Sequence, residues 1–145
     1  MNSKTESLKE KLKQALSSTA RVISDEFDVK PNLDNKKDQE KFEFFELENL
    51  NTKSDFLKAR AESDSKALKK KFSDELIFRK NLPSSSSRKL LYTIAEKIRY
   101  ETLGSKMLKG IEKNLKEKYI QINNVKRKDQ LKSKEDVSIT EAFEQ

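Results

Sequence analysis

Neither cysteine nor histidine occurs anywhere in the 145 residues. Their absence excludes disulfides, thiolate or imidazole metal sites and any catalysis that relies on either side chain. Long apolar runs are missing too. Nothing approaches the roughly 20 residues of a membrane span, and the opening MNSKTESLKEKLK lacks the apolar stretch of a signal peptide. A cytoplasmic protein without a membrane partner is expected. Glycine occurs only as Gly104 and Gly110, both inside EKIRYETLGSKMLKGIEKNL, residues 96–115, which otherwise reads as helix. A glycine in a helix interior costs about 0.5–1 kcal/mol relative to alanine, so the placement asks for a reason. Small residues where a neighbouring element packs closely would supply one.

What is abundant is charge. Charged residues make up 39% of the chain and apolar residues 33%, which allows one domain with a lean core. The net charge is +7, and its location matters more than its total. Residues 66–89 hold Lys66, Lys69, Lys70, Lys71, Arg79, Lys80, Arg88 and Lys89 against Asp74 and Glu75, whereas residues 25–62 are net acidic. Only six of the 32 basic residues are arginine, the residue that usually makes bidentate contacts to phosphates and bases. The window therefore reads as a solvated lysine face, and a small basic nucleic-acid-binding module is the alternative.

Helical spacing of Leu8, Leu12, Leu16 and Ile23, with Ala15 and Ala20 beside them, predicts a first helix over residues 4–24. The pattern then changes. FDVKPNL and KFEFFELENL are separated by the turn-like DNKKDQE, and Phe45, Leu47 and Asn49 alternate with Glu46 and Glu48. That alternation predicts a small β-hairpin. Phe42, Phe44 and Phe45 read as core, since the glutamates around them would repel the phosphates of a stacked nucleic acid. A second helix is expected from about Ser54 to Phe72, with Leu57, Ala61, Leu68 and Phe72 as its apolar stripe. Asp64 falls in the middle of that stripe. It must be exposed at an edge, paired inside or functional, and Arg99 is the partner expected, in an Asp64–Arg99–Glu96 cluster. The plainer alternative is a surface pair of Glu96 with Arg99.

NLPSSSSRK reads as a loop, with Ser86 or Ser87 as an N-cap. In the third helical region, residues 88–119, Leu91, Ile94, Ala95 and Ile98 share one face, while Met107, Leu108, Ile111 and Leu115 lie about half a turn away. Either the helix breaks near Gly104 or it is continuous and buried on different sides. Continuity is favoured, because a single break at Gly104 leaves Gly110 unexplained. The expected class is thus mainly α, of the α+β type: an N-terminal helix, the small β-hairpin, two long helices packed together and a flexible C-terminal segment. Residues 1–119 are expected to form a helical domain, 120–136 a polar lysine-rich connector, and 137–145 the start of a helix that looks truncated, as in a piece of a longer protein.

Glu96, Arg99, Glu101, Gly104, Gly110, Asn114 and Leu115 together form an arrangement that resembles a helix in the N-terminal region of the cobaltochelatase CobT subunit family. Arg60 with Asp64, Ser65, Ala67 and Leu68 is similar to that family's Ala-Asp-Ser-x-Ala-Leu segment. LKQALSSTARVIS resembles its first helix, and Pro83 stands where the family has a proline. Histidines that the family often carries nearby are replaced here by Glu62 and by residues around Phe72–Asp74, so no role of theirs carries over. The family's acidic linker and von Willebrand A-type domain are not among these residues.

The resemblance implies a subunit of the ATP-dependent cobalt chelatase of aerobic cobalamin biosynthesis, partnered by a AAA+ subunit and by a large subunit that holds the corrin ring. ATP, magnesium and cobalt would belong to that complex, with no cofactor, metal ligand or catalytic residue in this chain. The residues themselves agree with a docking module: no phosphate-binding glycine loop, metal-ligand cluster or nucleophile–base pair is legible. Arg60, Asp64, Ser65, Glu96, Arg99, Glu101, Gly104, Gly110 and Asn114 are the expected structural or partner-contact positions.

Overall fold

The computed structural model describes residues 2–25, 52–129 and 143. Five helices account for nearly all of them: α1 (Asn2–Ile23), α2 (Lys53–Phe72), α3 (Glu75–Lys80), α4 (Ser86–Met107) and α5 (Lys109–Asp129). No strand occurs among the described residues, so the α+β expectation is corrected to an all-α architecture. The hairpin is not seen, and residues 26–51, which carried most of it, lie outside the described ones. A two-stranded hairpin is marginal without further strands or a helix face beneath it, and here the helices turn their apolar stripes on one another.

α2 is the hub. Ala61, Ser63, Asp64, Ser65, Ala67 and Leu68 are all buried, which leaves almost no solvent face over two turns. Such burial follows from three neighbours, since α1, α4 and α5 each pack against α2. The alanines and serines on α2 let the three backbones approach closely, and Leu68 fills the space between them at 0% exposure. α1 contributes Ala20 and Ile23 to this core, α4 contributes Tyr100, and α5 contributes Ile111 and Leu115.

Local chemistry sets the ends of α2. Thr52 accepts from the Asp55 amide at 3.2 Å, and its own amide donates back to the Asp55 carboxylate at 2.9 Å. This reciprocal box satisfies two donors that the first turn would otherwise leave open. Ser73 ends the helix in an extended conformation, and Asp74 immediately caps α3 by accepting from the Leu76 and Ile77 amides at 2.8 and 3.0 Å. Sequence periodicity gave no sign of this six-residue helix. Phe78 of α3 meets Tyr92 of α4, ring centroids 5.2 Å apart, across the Pro83 loop.

The third helical region is not continuous. Leu108 adopts an extended conformation, φ −134 and ψ 113, and separates α4 from α5 by itself. Its amide donates to the Gly104 carbonyl at 2.9 Å, and its carbonyl accepts from the Ile111 and Glu112 amides at 3.0 and 3.2 Å. One residue therefore closes one helix and opens the next, so the expectation of continuity is overturned. It also explains why the apolar faces on either side of the joint differ by half a turn. α5 runs on to Asp129, well past Tyr119, so residues 121–129 are helical where a weakly structured segment was expected. Residues 130–142 and 144–145 lie outside the described ones.

Candidate functional site

Polar groups are concentrated where α2, α4 and α5 meet. Asp64, Ser65, Glu101 and Asn114 are buried there, and Ser63 on α2 and Lys118 on α5 are buried as well. Burying a polar group is costly unless it finds a partner, and most of these find one on another helix. The Asn114 amide nitrogen donates to Asp64 Oδ2 at 2.6 Å. The Ser65 hydroxyl donates to Glu101 Oε1 at 2.5 Å, and the Tyr119 hydroxyl donates to Glu101 Oε2 at 2.7 Å. Lys97 and Lys118 place their ammonium groups 5.5 and 5.7 Å from the Tyr119 ring centre, within reach of a cation–π attraction.

The environment moves several of these groups off their ordinary titration. Burial raises the Asp64 carboxyl, against the Asn114 hydrogen bond and the charge of Arg60, which both lower it. Tyr119 is raised by burial first and by its hydrogen bond to Glu101 second. Tyr100 is raised chiefly by burial, opposed by the neighbouring Ser65 hydroxyl.

A second polar cluster clasps the end of α2 to α4. The Ser73 hydroxyl donates to Glu96 Oε1 at 2.6 Å, and Arg99 holds both Glu96 oxygens at 2.7 Å. The Arg99 guanidinium also donates to the Phe72 carbonyl at 2.5 Å, one of the orphan acceptors at a helix C-terminus. Hydrogen bonding from Arg99 is the main cause that lowers the Glu96 carboxyl.

The expected Asp64–Arg99–Glu96 cluster therefore does not form. Asp64 is paired inside, as one of the readings required, but its partner is Asn114, while Glu96 and Arg99 make the plainer i,i+3 pair. Arg60 is exposed and acts on Asp64 only through its charge. The two glycines separate. A methyl added to Gly104 would sit 2.8 Å from Leu68 Cγ and closer still to its δ-methyls, so close packing explains that glycine. Apart from its chain neighbours and its own helix backbone, no described residue lies within 4 Å of where a Gly110 methyl would stand, and the described residues give the close-contact reading no support there. Ser73, Tyr100, Lys118 and Tyr119 were not foreseen, although the i, i+3, i+4, i+7 spacing of Ile111, Asn114, Leu115 and Lys118 was open to inspection.

Chemically, these pairings fix how helices sit against one another. A serine bonded to a carboxylate is half of a nucleophile–base arrangement, yet Ser65 and Glu101 are 7% and 6% exposed between packed helices. Among the described residues, no three His, Cys, Asp or Glu side chains gather so as to hold a metal ion, and no helix is long and apolar enough to cross a membrane. The basic window is spread over the end of α2, α3 and the start of α4, where Lys71 pairs with Asp25 and Arg79 with Glu75. The family model for the cobalamin biosynthesis protein CobT matches residues 6–145. No curated protein and no solved structure matches the chain.

Proposed function

We propose, because this chain belongs to the CobT family of cobalamin biosynthesis proteins, that it is the non-catalytic interaction region of a cobalt-chelatase subunit. It joins a AAA+ subunit and a large corrin-holding subunit in the cytoplasm. ATP and magnesium are used by the partners, and cobalt is the substrate delivered to the ring. The observation that carries this reading is the family match over nearly the whole chain. The chemistry of the buried groups supports it, since Asp64, Ser65 and Glu101 are spent on contacts between helices.

The test is reconstitution. The chain should be captured by the AAA+ and large subunits encoded in the same genome, and the chain alone should show no ATP turnover or cobalt insertion. Failure of capture, or turnover by the purified chain, overturns the reading. The basic window supplies the competing one, a nucleic-acid-binding module. Retention on a DNA column with a steep salt slope would favour that alternative, and elution at low salt is expected instead.

A further inference from the structure

Leu108 turns a corner with a single residue, and it does so against its own preference. Leucine is a good helix former. Its amide bonds the Gly104 carbonyl at 2.9 Å and its carbonyl accepts from the Glu112 amide at 3.2 Å, the partners both groups would have in an unbroken helix. Rotating Leu108 alone from φ −134 and ψ 113 into the helical region fuses α4 with α5. The Lys109, Gly110 and Ile111 amides then meet the Ser105, Lys106 and Met107 carbonyls, bonds that the corner forgoes. What keeps the corner bent is the seat of α5. Ile111 and Leu115 enter the core, Asn114 reaches Asp64, Tyr119 reaches Glu101, and the Ser54 hydroxyl donates to Gln121 Oε1 at 2.8 Å. Gly110 adds to that side of the balance. As the second residue of α5 its amide belongs to the open first turn in any case, whereas mid-way along a fused helix glycine costs most.

The contacts of α5 do not survive straightening within one chain. Glu101 and Tyr119 share a hydrogen bond although they are 18 residues apart, and a fused helix would hold them about 27 Å apart. A straightened chain therefore carries α5 off its own α2. The seat left behind, with Asp64 and Glu101 in it, matches the α5 of a second copy residue for residue. We infer that Leu108 is a hinge through which two copies of this chain exchange α5, each fusing α4 and α5 into one helix laid on the α2 and α4 of the other. The exchanged pair is closed and reciprocal, and it reuses the contacts named above while adding helical bonds at both hinges. Opposing it are Gly110 and the entropy of bringing two copies together. The exchange is independent of the chelatase partners proposed above.

The full chain, refolded from urea at low and at high protein concentration, is sized by light scattering. Refolding at high concentration should yield a dimer that persists on dilution, since α5 has to leave a core to revert. Gly110→Ala should raise the dimerisation constant about tenfold, because each pair straightens two hinges. Lys109→Pro should abolish the dimer and leave the monomer folded: proline suits the first position of a helix and an extended residue before it, and it blocks a continuous helix. Spin labels on Thr102→Cys and Ile120→Cys, both exposed sites, report the geometry directly when labelled chains are refolded in excess unlabelled chain. Their separation within a dimeric chain should be about 27 Å, and shorter in the monomer. A chain that stays monomeric at high concentration, both as wild type and as Gly110→Ala, overturns the inference. So does a dimer that keeps the monomer's separation within each chain, and so does one that Lys109→Pro leaves intact.

Discussion

A single methyl group placed at Gly104 and at Gly110 should move stability in opposite directions. Each glycine-to-alanine change in a helix gains up to about 1 kcal/mol by restricting the unfolded chain and removing glycine's poor propensity. At Gly110 no described residue opposes that gain. At Gly104 the methyl meets Leu68, which is 0% exposed and enclosed by helices, so it has little room to withdraw. Overpacking of a full core costs about 1–3 kcal/mol, which leaves Gly104→Ala less stable than wild type by about 1 kcal/mol. The two variants should then differ by about 2 kcal/mol, or roughly 6–8 °C in thermal midpoint for a domain of this size. Urea denaturation of both gives the free energies directly. The pair also has an internal check. Leu68→Ala alone should cost about 2–5 kcal/mol, and less in the Gly104→Ala background, because the added methyl occupies part of the cavity. A Gly104→Ala protein as stable as Gly110→Ala, or strict additivity with Leu68→Ala, refutes the close-packing account.

Two further outcomes follow from the buried polar groups. Because burial raises the folded-state Asp64 carboxyl above its unfolded value, the folded chain holds that proton more tightly. The contribution of Asp64 is therefore most favourable at acid pH and declines as pH rises through the ordinary carboxylate range and up to the raised value. Asp64→Asn keeps an acceptor for Asn114 and should gain on wild type over that pH window, whereas Asn114→Ala should lose about 1.5–3 kcal/mol near neutrality; denaturant midpoints from pH 4 to 8 check both. Tyr119→Phe should cost about 1 kcal/mol. Glu101→Ala should cost about 3 kcal/mol or more by stranding Ser65 and Tyr119, and calorimetry of the double variant should show that the second change adds almost nothing.

Much of the helical layout was legible because long amphipathic stripes announce themselves. α1 and α2 lie within two residues of their expected bounds. The position of Asp64 on its stripe also required burial or an exception, and burial holds at 3% exposure. Its partner was not legible, because Asn114 sits on a helix whose phase depends on the joint at Leu108. Nothing in Leu108 itself signals a break, since leucine is a good helix former; packing of α5 against α2 overrides its propensity. The clue was the half-turn offset between the two apolar faces, and the unexplained Gly110 argued against reading it as a break. α3 escaped notice for the opposite reason. It holds six residues, too few for periodicity to show, and its aspartate cap could be read as part of a loop. The hairpin reading rested on alternation over a handful of residues, where helix and strand periods are hardest to tell apart.

The one-residue joint makes this chain intolerant of a particular kind of genetic change. Each residue in a helix advances its neighbours by about 100°, so an insertion or deletion between Met107 and Gly110 does more than lengthen or shorten a loop. It turns the whole of α5 about its axis and carries Ile111, Asn114, Leu115 and Lys118 off the face that meets α2. A substitution at the same place disturbs one side chain, whereas a single-codon indel unseats a core layer and the Asp64 partner together. In the Pro83 loop the same indel would be absorbed by serines exposed to solvent. A library of one-residue insertions across residues 80–115 should thus tolerate change at the serine run and reject it sharply at the joint, so that the corner keeps its length even where its side chains drift.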